Sequence, residues 1–169
     1  DNIDPARMDA LCDVIDIKKT CFNVITKSGS TSETMAQFLI IADKLKKAGV
    51  PLKDNMIATT DQAKGNLIKI AQQEGLKTFV IPDGVGGRFS EMTPVGLLGA
   101  AVCGIDIKEM IAGARYMDGL LQSENVMENM AYLDGALQYL CMENGINVSV
   151  MMPYADTLKY MSDWYAQLW

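Results

Sequence analysis

Between Thr26 and Thr34 the chain reads Thr-Lys-Ser-Gly-Ser-Thr-Ser-Glu-Thr, a run of hydroxyls with one lysine and one glycine set between an apolar stretch and a helical one. These residue types suit a phosphomonoester. Hydroxyls supply neutral donors, Lys27 supplies a full positive charge, and Gly29 lets backbone approach a ligand closely. Ser30 followed by Glu33 matches a capping box, which predicts a helix beginning near Thr31 with its unpaired N–H groups aimed back at the loop. Such an end carries roughly half a positive charge and attracts anions. Capping alone accounts for one or two hydroxyls at a strand–turn–helix junction, and this run holds more. The Gly-x-x-x-x-Gly-Lys-Ser/Thr spacing of a nucleotide-binding loop is absent.

A second stretch, Pro82-Asp83-Gly84-Val85-Gly86-Gly87-Arg88-Phe89-Ser90, is rich in glycine but lacks the third glycine of a dinucleotide fingerprint. Its composition is that of a mobile turn. Arg88 adds chemistry to it, because a guanidinium beside two glycines can reach a bound oxyanion with backbone donors next to it, and it stays charged throughout a reaction.

Both stretches need a sheet to hold them. Residues 21–26 and Met56–Thr60 are short, apolar or β-branched runs that read as strands, and Lys77–Ile81 reads as a third. Helices alternate with them: Pro5 to Asp16 opened by Asp4 and burying Met8, Leu11, Cys12 and Ile15, a helix from the hydroxyl loop to Gly49, and Gly65 to Glu74 closed by Gly75. Alternation of this kind predicts an α/β fold, a three-layer αβα sandwich with a mostly parallel, doubly wound sheet, whose ligands sit outside the carboxyl ends of the strands. Both special loops leave strands at that edge.

Downstream, Val95 to Cys103 is small and apolar and is expected to be a buried helix. Asp106 with Glu109 caps a helix to about Gln122, and Asn125 with Glu128 caps another running to Met142. Asn147 to Met152 reads as a last strand, and Asp156 opens a helix still running at Trp169. Residues 1–3 read as the tail of something upstream, and the chain looks cut at both ends.

With 169 residues, 49% of them hydrophobic, the chain has enough material for a substantial core. A net charge of −6 without a basic stripe argues against nucleic acid or an anionic membrane as partner. No run approaches the ~18 apolar residues of a membrane span and no signal-peptide pattern opens the chain, so a cytoplasmic protein is expected. The absence of histidine removes Ser-His and Cys-His pairs and the usual zinc sites, so neither metal nor cofactor is expected. Cys12, Cys21, Cys103 and Cys141 lie far apart and read as core thiols. Met35, Met110, Met117, Met130 and Met142 read as core filling.

Four segments give the chain a family likeness: Asn23–Thr34, Gly86-Gly87-Arg88-Phe89-Ser90, Thr93-Pro94-Val95-Gly96-Leu97-Leu98, and Leu158-Lys159-Tyr160 through Trp164-Tyr165-Ala166-Gln167-Leu168-Trp169. The chain resembles the middle of a glucose-6-phosphate isomerase (phosphoglucose isomerase), over its first sugar-isomerase (SIS) domain. The resemblance implies that residues 1–169 form one such domain of a longer enzyme, expected to be a cytosolic homodimer of glycolysis and gluconeogenesis. That enzyme interconverts glucose 6-phosphate and fructose 6-phosphate through an enediolate. It implies further that Thr26, Lys27, Ser28, Thr31 and Thr34 bind the sugar phosphate, with Thr26 in place of the usual serine. Arg88 would stabilise the enediolate with backbone from Gly87, and Gln167 would contact substrate. The family's proton-abstracting glutamate belongs to a Glu-Ser-x-Gly-Lys motif expected two positions past Trp169, and its histidine and lysine belong to later segments. The piece by itself is therefore expected to be inactive. A non-catalytic sugar-phosphate-sensing module and a bifunctional glucose/mannose phosphate isomerase are the alternatives.

Overall fold

In a computed structural model that describes residues 2–169, helix α1 (Pro5–Val14) begins as Asp4 and Pro5 dictate. The Asp4 carboxylate accepts from the backbone N–H of Ala6 and Arg7, two donors that a helix start would otherwise leave open. Asp1, part of the stretch read as a tail, lies outside the described residues. Strand β1 (Phe22–Ile25) follows, then α2 (Ser32–Lys47), the one-turn α3 (Leu52–Asn55), β2 (Met56–Thr60), α4 (Asn66–Glu74) and β3 (Lys77–Val80). The three strands form an all-parallel sheet in the order β1-β2-β3, with Val24 opposite Ala58 and Thr59 opposite Phe79. The architecture is α/β, as expected.

Two crossovers of one hand, each stepping the same way across the sheet, place their helices on one face. The core bears this out, since Phe38, Ile41 and Leu45 of α2 and Leu67 and Ala71 of α4 join Val24, Met56 and Ala58 of the sheet in one buried cluster. Gly75, in the left-handed region at φ 68°, closes α4, and Gly49 at φ 73° follows α2, so both helices stop at the glycines that predict it. From α1 only part of the expected face is covered: Met8 and Cys12 pack against the cluster, while Leu11 is exposed.

The chain forms two units, the first ending at Gly99 and the second running from Ala100 to Trp169. A 3-10 turn, Gly87–Phe89, leads into α5 (Pro94–Val102), whose last three residues fall past Gly99. The expectation that α5 is buried fails, since none of its residues is. Its small residues serve a local purpose: a Cβ at Gly96 would stand 2.3 Å from the Glu91 carbonyl oxygen, so the close approach is to the preceding turn and not to a neighbouring helix.

The second unit holds α6 (Ile107–Leu120), α7 (Met130–Glu143) and α8 (Lys159–Leu168). Asp106 caps α6 as expected, accepting from Lys108 and Glu109 N–H. The start of α7 is a correction. Asn125 accepts from Met127 N–H in a turn, and Asn129 is the true cap, its oxygen on Ala131 and Tyr132 N–H and its amide on the Leu121 and Ser123 carbonyls. Those four bonds use every polar group of a buried side chain, which outweighs the looser Asn125 signal. Asn147–Met152 is not a strand, because no ladder pairs with it among the described residues and Val148 and Val150 stand exposed. Alternation gives a segment two faces, but only a partner makes it a strand. Met117, Met130 and Met142 are exposed too, as are Cys21, Cys103 and Cys141, contrary to the core reading. Among the described residues no helix is long and apolar enough to cross a membrane.

Candidate functional site

At the carboxyl end of β1 the chain leaves the sheet through the hydroxyl loop, and β2 holds its first residues in place. Thr26 N–H donates to the Thr59 carbonyl at 3.1 Å, and the buried Thr60 hydroxyl donates to the Thr26 carbonyl at 2.7 Å and shares the Lys27 carbonyl at 3.4 Å. The loop then folds on its own hydroxyls. Thr26 Oγ1 lies 3.2 Å from Thr31 Oγ1 and accepts from Gly29 N–H, while Ser28 Oγ accepts from both the backbone and the side chain of Ser30.

The expected capping box does not form. Thr31, not Ser30, is the cap of α2, and it makes no side-chain capping bond. Ser30 is drawn back to Ser28, and Thr31 is drawn to Thr26 across the loop. The first N–H groups of α2 therefore lack the side-chain acceptor that a capping box would place on them, at the position where an anion is favoured.

A second helix start abuts the same loop. Gly65, at φ 100° and ψ 176°, precedes α4, and a Cβ there would sit 2.2 Å from the Ser28 carbonyl oxygen. Reciprocally, a Cβ on Gly29 would stand 2.3 Å from Leu67 N. Two glycines thus let the loop's backbone lie against the first turn of α4. The positive ends of two helices meet at one loop, which raises the local potential in a chain of net charge −6.

The resulting cavity, of about 830 Å³, is lined by Thr26, Lys27, Ser28, Thr31 and Thr34 from the first loop and by Val85, Gly87 and Ser90 from the second. The sequence-derived phosphate residues and Gly87 come together there. The two loops touch directly, since Lys27 Nζ donates to the Val85 carbonyl at 2.9 Å. Arg88 lies exposed in the Gly87–Phe89 turn and is not one of the lining side chains. Gln167 is exposed on α8 of the second unit.

Asp61, Lys64 and Gly65 line the cavity as well and are not among the site residues that the sequence singles out. Their signal is the end of β2 in Thr59-Thr60-Asp61, a third strand exit on the ligand edge. Asp61 accepts from Ala63 and Lys64 N–H, both at 2.9 Å. These two backbone bonds, chiefly, with the charges of Lys64 and Lys27 behind them, hold its carboxyl below the usual 3.8. The bonds favour the charged form, so the turn is fully held above the ordinary carboxylate range and loosens as pH falls through the lowered pKa. A carbon-13 titration of the Asp61 carboxyl is expected to show a midpoint below 3.8, and a midpoint at or above that value would mean that the turn does not form. Among the described residues no three His, Cys, Asp or Glu side chains gather to hold a metal.

A family model described as phosphoglucose isomerase matches residues 1–169. The chain is 57% identical over 169 residues to the glucose-6-phosphate isomerase of Carboxydothermus hydrogenoformans, covering 99% of this chain and 36% of that protein. Among solved structures, a hypothetical protein from Thermus thermophilus superposes with a TM-score of 0.93 at 34% identity, over 99% of this chain and 40% of the other. The glucose-6-phosphate isomerase of Chlamydia trachomatis gives 0.82 at 25%, over 98% and 32%. The chain thus spans well under half the length of these relatives.

Proposed function

Because the chain belongs to the phosphoglucose isomerase family, we propose that it supplies the sugar-phosphate side of an aldose–ketose isomerase site, in which glucose 6-phosphate and fructose 6-phosphate interconvert through an enediolate. The observation that carries this reading is the cavity where Thr26, Lys27, Ser28, Thr31 and Thr34 face Gly87 across the carboxyl edge of a parallel sheet. Hydroxyls, helix N-termini and one ammonium recognise a phosphate dianion in combination. Gly87 N–H and Arg88, one residue along, are the groups for the enediolate oxygens, where fixed donors lower the cost of developing charge. Gln167 is a further substrate contact, by motif likeness. Residues 1–169 would then be one sugar-isomerase domain of a longer enzyme, a cytoplasmic homodimer serving glycolysis and gluconeogenesis.

By itself the chain should turn nothing over. Glu-Ser-x-Gly-Lys, the run that carries the family's proton-abstracting glutamate, does not occur in these 169 residues, and neither does histidine. A coupled assay on the purified chain should stay at background; turnover above it would show that another group removes the proton. Binding is the positive test. Glucose 6-phosphate, but not glucose, should shift the amides of Thr26–Thr34, and Lys27→Ala should weaken that binding by about 1.5–3 kcal/mol, the worth of a charge-assisted hydrogen bond. An unchanged dissociation constant would place the phosphate elsewhere.

A further inference from the structure

We propose that Lys27 is a positioning residue for the glycine-rich turn, tying Val85–Gly87 to the hydroxyl loop so that an anion bound at one is felt at the other. The inference rests on the sugar-phosphate reading only for what fills the cavity. Its basis is the bond from Lys27 Nζ to the Val85 carbonyl, 2.9 Å long, partly buried, and joining residues 58 apart in sequence.

Apart from Lys27, the residues bonded to Val85, Gly86 and Gly87 all lie within three positions of them in sequence. Bonds within the turn span three residues or fewer: Gly84 N–H to the Asp83 carboxylate, Val85 N–H to the Pro82 carbonyl at a long 3.3 Å, Phe89 N–H to the Gly86 carbonyl, and the Ser90 N–H and hydroxyl to the Gly87 carbonyl, the hydroxyl at 2.6 Å. A Cβ at Gly84 or Gly87 would meet no atom within 4 Å, so no packing fixes the turn at either point. Glycine brings the widest backbone freedom where packing is absent.

The other end of the tether is firm. Lys27 follows Thr26, whose N–H and carbonyl are both bonded to β2, and the Thr60 hydroxyl also reaches the Lys27 carbonyl. Position therefore passes from the sheet through Thr60 to the Lys27 backbone, along its side chain to the Val85 carbonyl, and on to Gly86 and Gly87. An ammonium has three donors, and Val85 takes one. The rest remain for an oxyanion in the cavity that Lys27 and Gly87 both line. One cation serves both loops.

The test uses the isotope-labelled 169-residue chain, Lys27→Met and Lys27→Arg, with inorganic phosphate as the probe. Without phosphate, Lys27→Met should drop the amide order parameters of Val85, Gly86 and Gly87 from about 0.85 to below about 0.6 and shift the Val85 carbonyl carbon, while β1, β2 and α4 hold. Lys27→Arg, which keeps a charged donor of similar reach, should recover much of that order. A role confined to general stability would move the strands as well and would not be rescued by arginine. On adding phosphate, the amides of Thr26–Thr31 and of Gly86 and Gly87 should respond together in the wild type, and only the first group in Lys27→Met. A turn as ordered in Lys27→Met as in the wild type, or a phosphate response at Gly86 and Gly87 that survives Lys27→Met, overturns the proposal. A wild-type chain whose Thr26–Thr31 amides ignore phosphate would sink the sugar-phosphate reading alone, and the ligand-free comparison would still decide the tether.

Discussion

Gly65→Ala is expected to destabilise the sheet-bearing unit by roughly 2–6 kcal/mol and to abolish measurable sugar-phosphate binding. Two costs add at this residue. The backbone at φ 100°, ψ 176° belongs to a region that L side chains essentially never enter, worth roughly 1–3 kcal/mol. The new methyl would also stand 2.2 Å from the Ser28 carbonyl oxygen and 2.7 Å from its carbon, and neither is the tip of a flexible side chain. Relief requires the hydroxyl loop to back away from α4, which separates Ser28 and Gly29 from the helix end. Gly84→Ala is the control. Gly84 also has a positive φ, 81°, but its Cβ would meet nothing within 4 Å, so only the conformational cost of about 1–2 kcal/mol applies. Urea denaturation followed by exchange of strand amides gives both values, and equal losses in the two variants would remove the steric contact from the argument.

That contact marks where sequence reasoning stops. The hydroxyl loop was legible because each residue in Thr26–Thr34 speaks for its own chemistry, and the three strands were legible because short apolar runs between glycines and capping residues have few other uses. Gly65 reads in the sequence only as the start of a helix; its packing against Gly29 is a long-range fact that no local pattern encodes. Ser30 shows the reverse error. Its spacing to Glu33 is sound local evidence, yet a neighbour two residues back takes its hydroxyl. In Ala100–Trp169, apolar periodicity correctly located α6, α7 and α8 but not what covers them: Tyr116, Met130 and Leu137 are all more than half exposed. Periodicity names a face, and burial depends on what packs on it. Arg88 and Gln167 were drawn from motif likeness, and their roles rest on that likeness still.

Leu45→Ala should cost about 2–5 kcal/mol of the same unit's stability and leave sugar-phosphate affinity nearly unchanged. Leu45 is fully buried in the cluster that seats α2 on the sheet, beside Phe38 and Ile41 of its own helix and Leu67 and Ala71 of α4. Removing its branched end leaves a void that the paired strands and the helices packed on them cannot close by a small shift, so lost transfer energy and lost contacts add. The site lies elsewhere on the helix. Thirteen residues separate Leu45 from Ser32 at the start of α2, about 20 Å along the axis, and the loop there is held by Thr60 and Gly65, neither of which belongs to the Leu45 cluster. Every tyrosine and tryptophan of the chain falls after Ala100, so intrinsic fluorescence would watch the wrong unit and amide exchange in β1 and β2 is the proper readout. Measured well below the unfolding transition, glucose 6-phosphate affinity within about threefold of wild type, against at least a tenfold loss for Gly65→Ala, would separate seating the helix from shaping the loop; a comparable loss in both variants would mean that the loop takes its shape from the core beneath α2 and not from the two glycines.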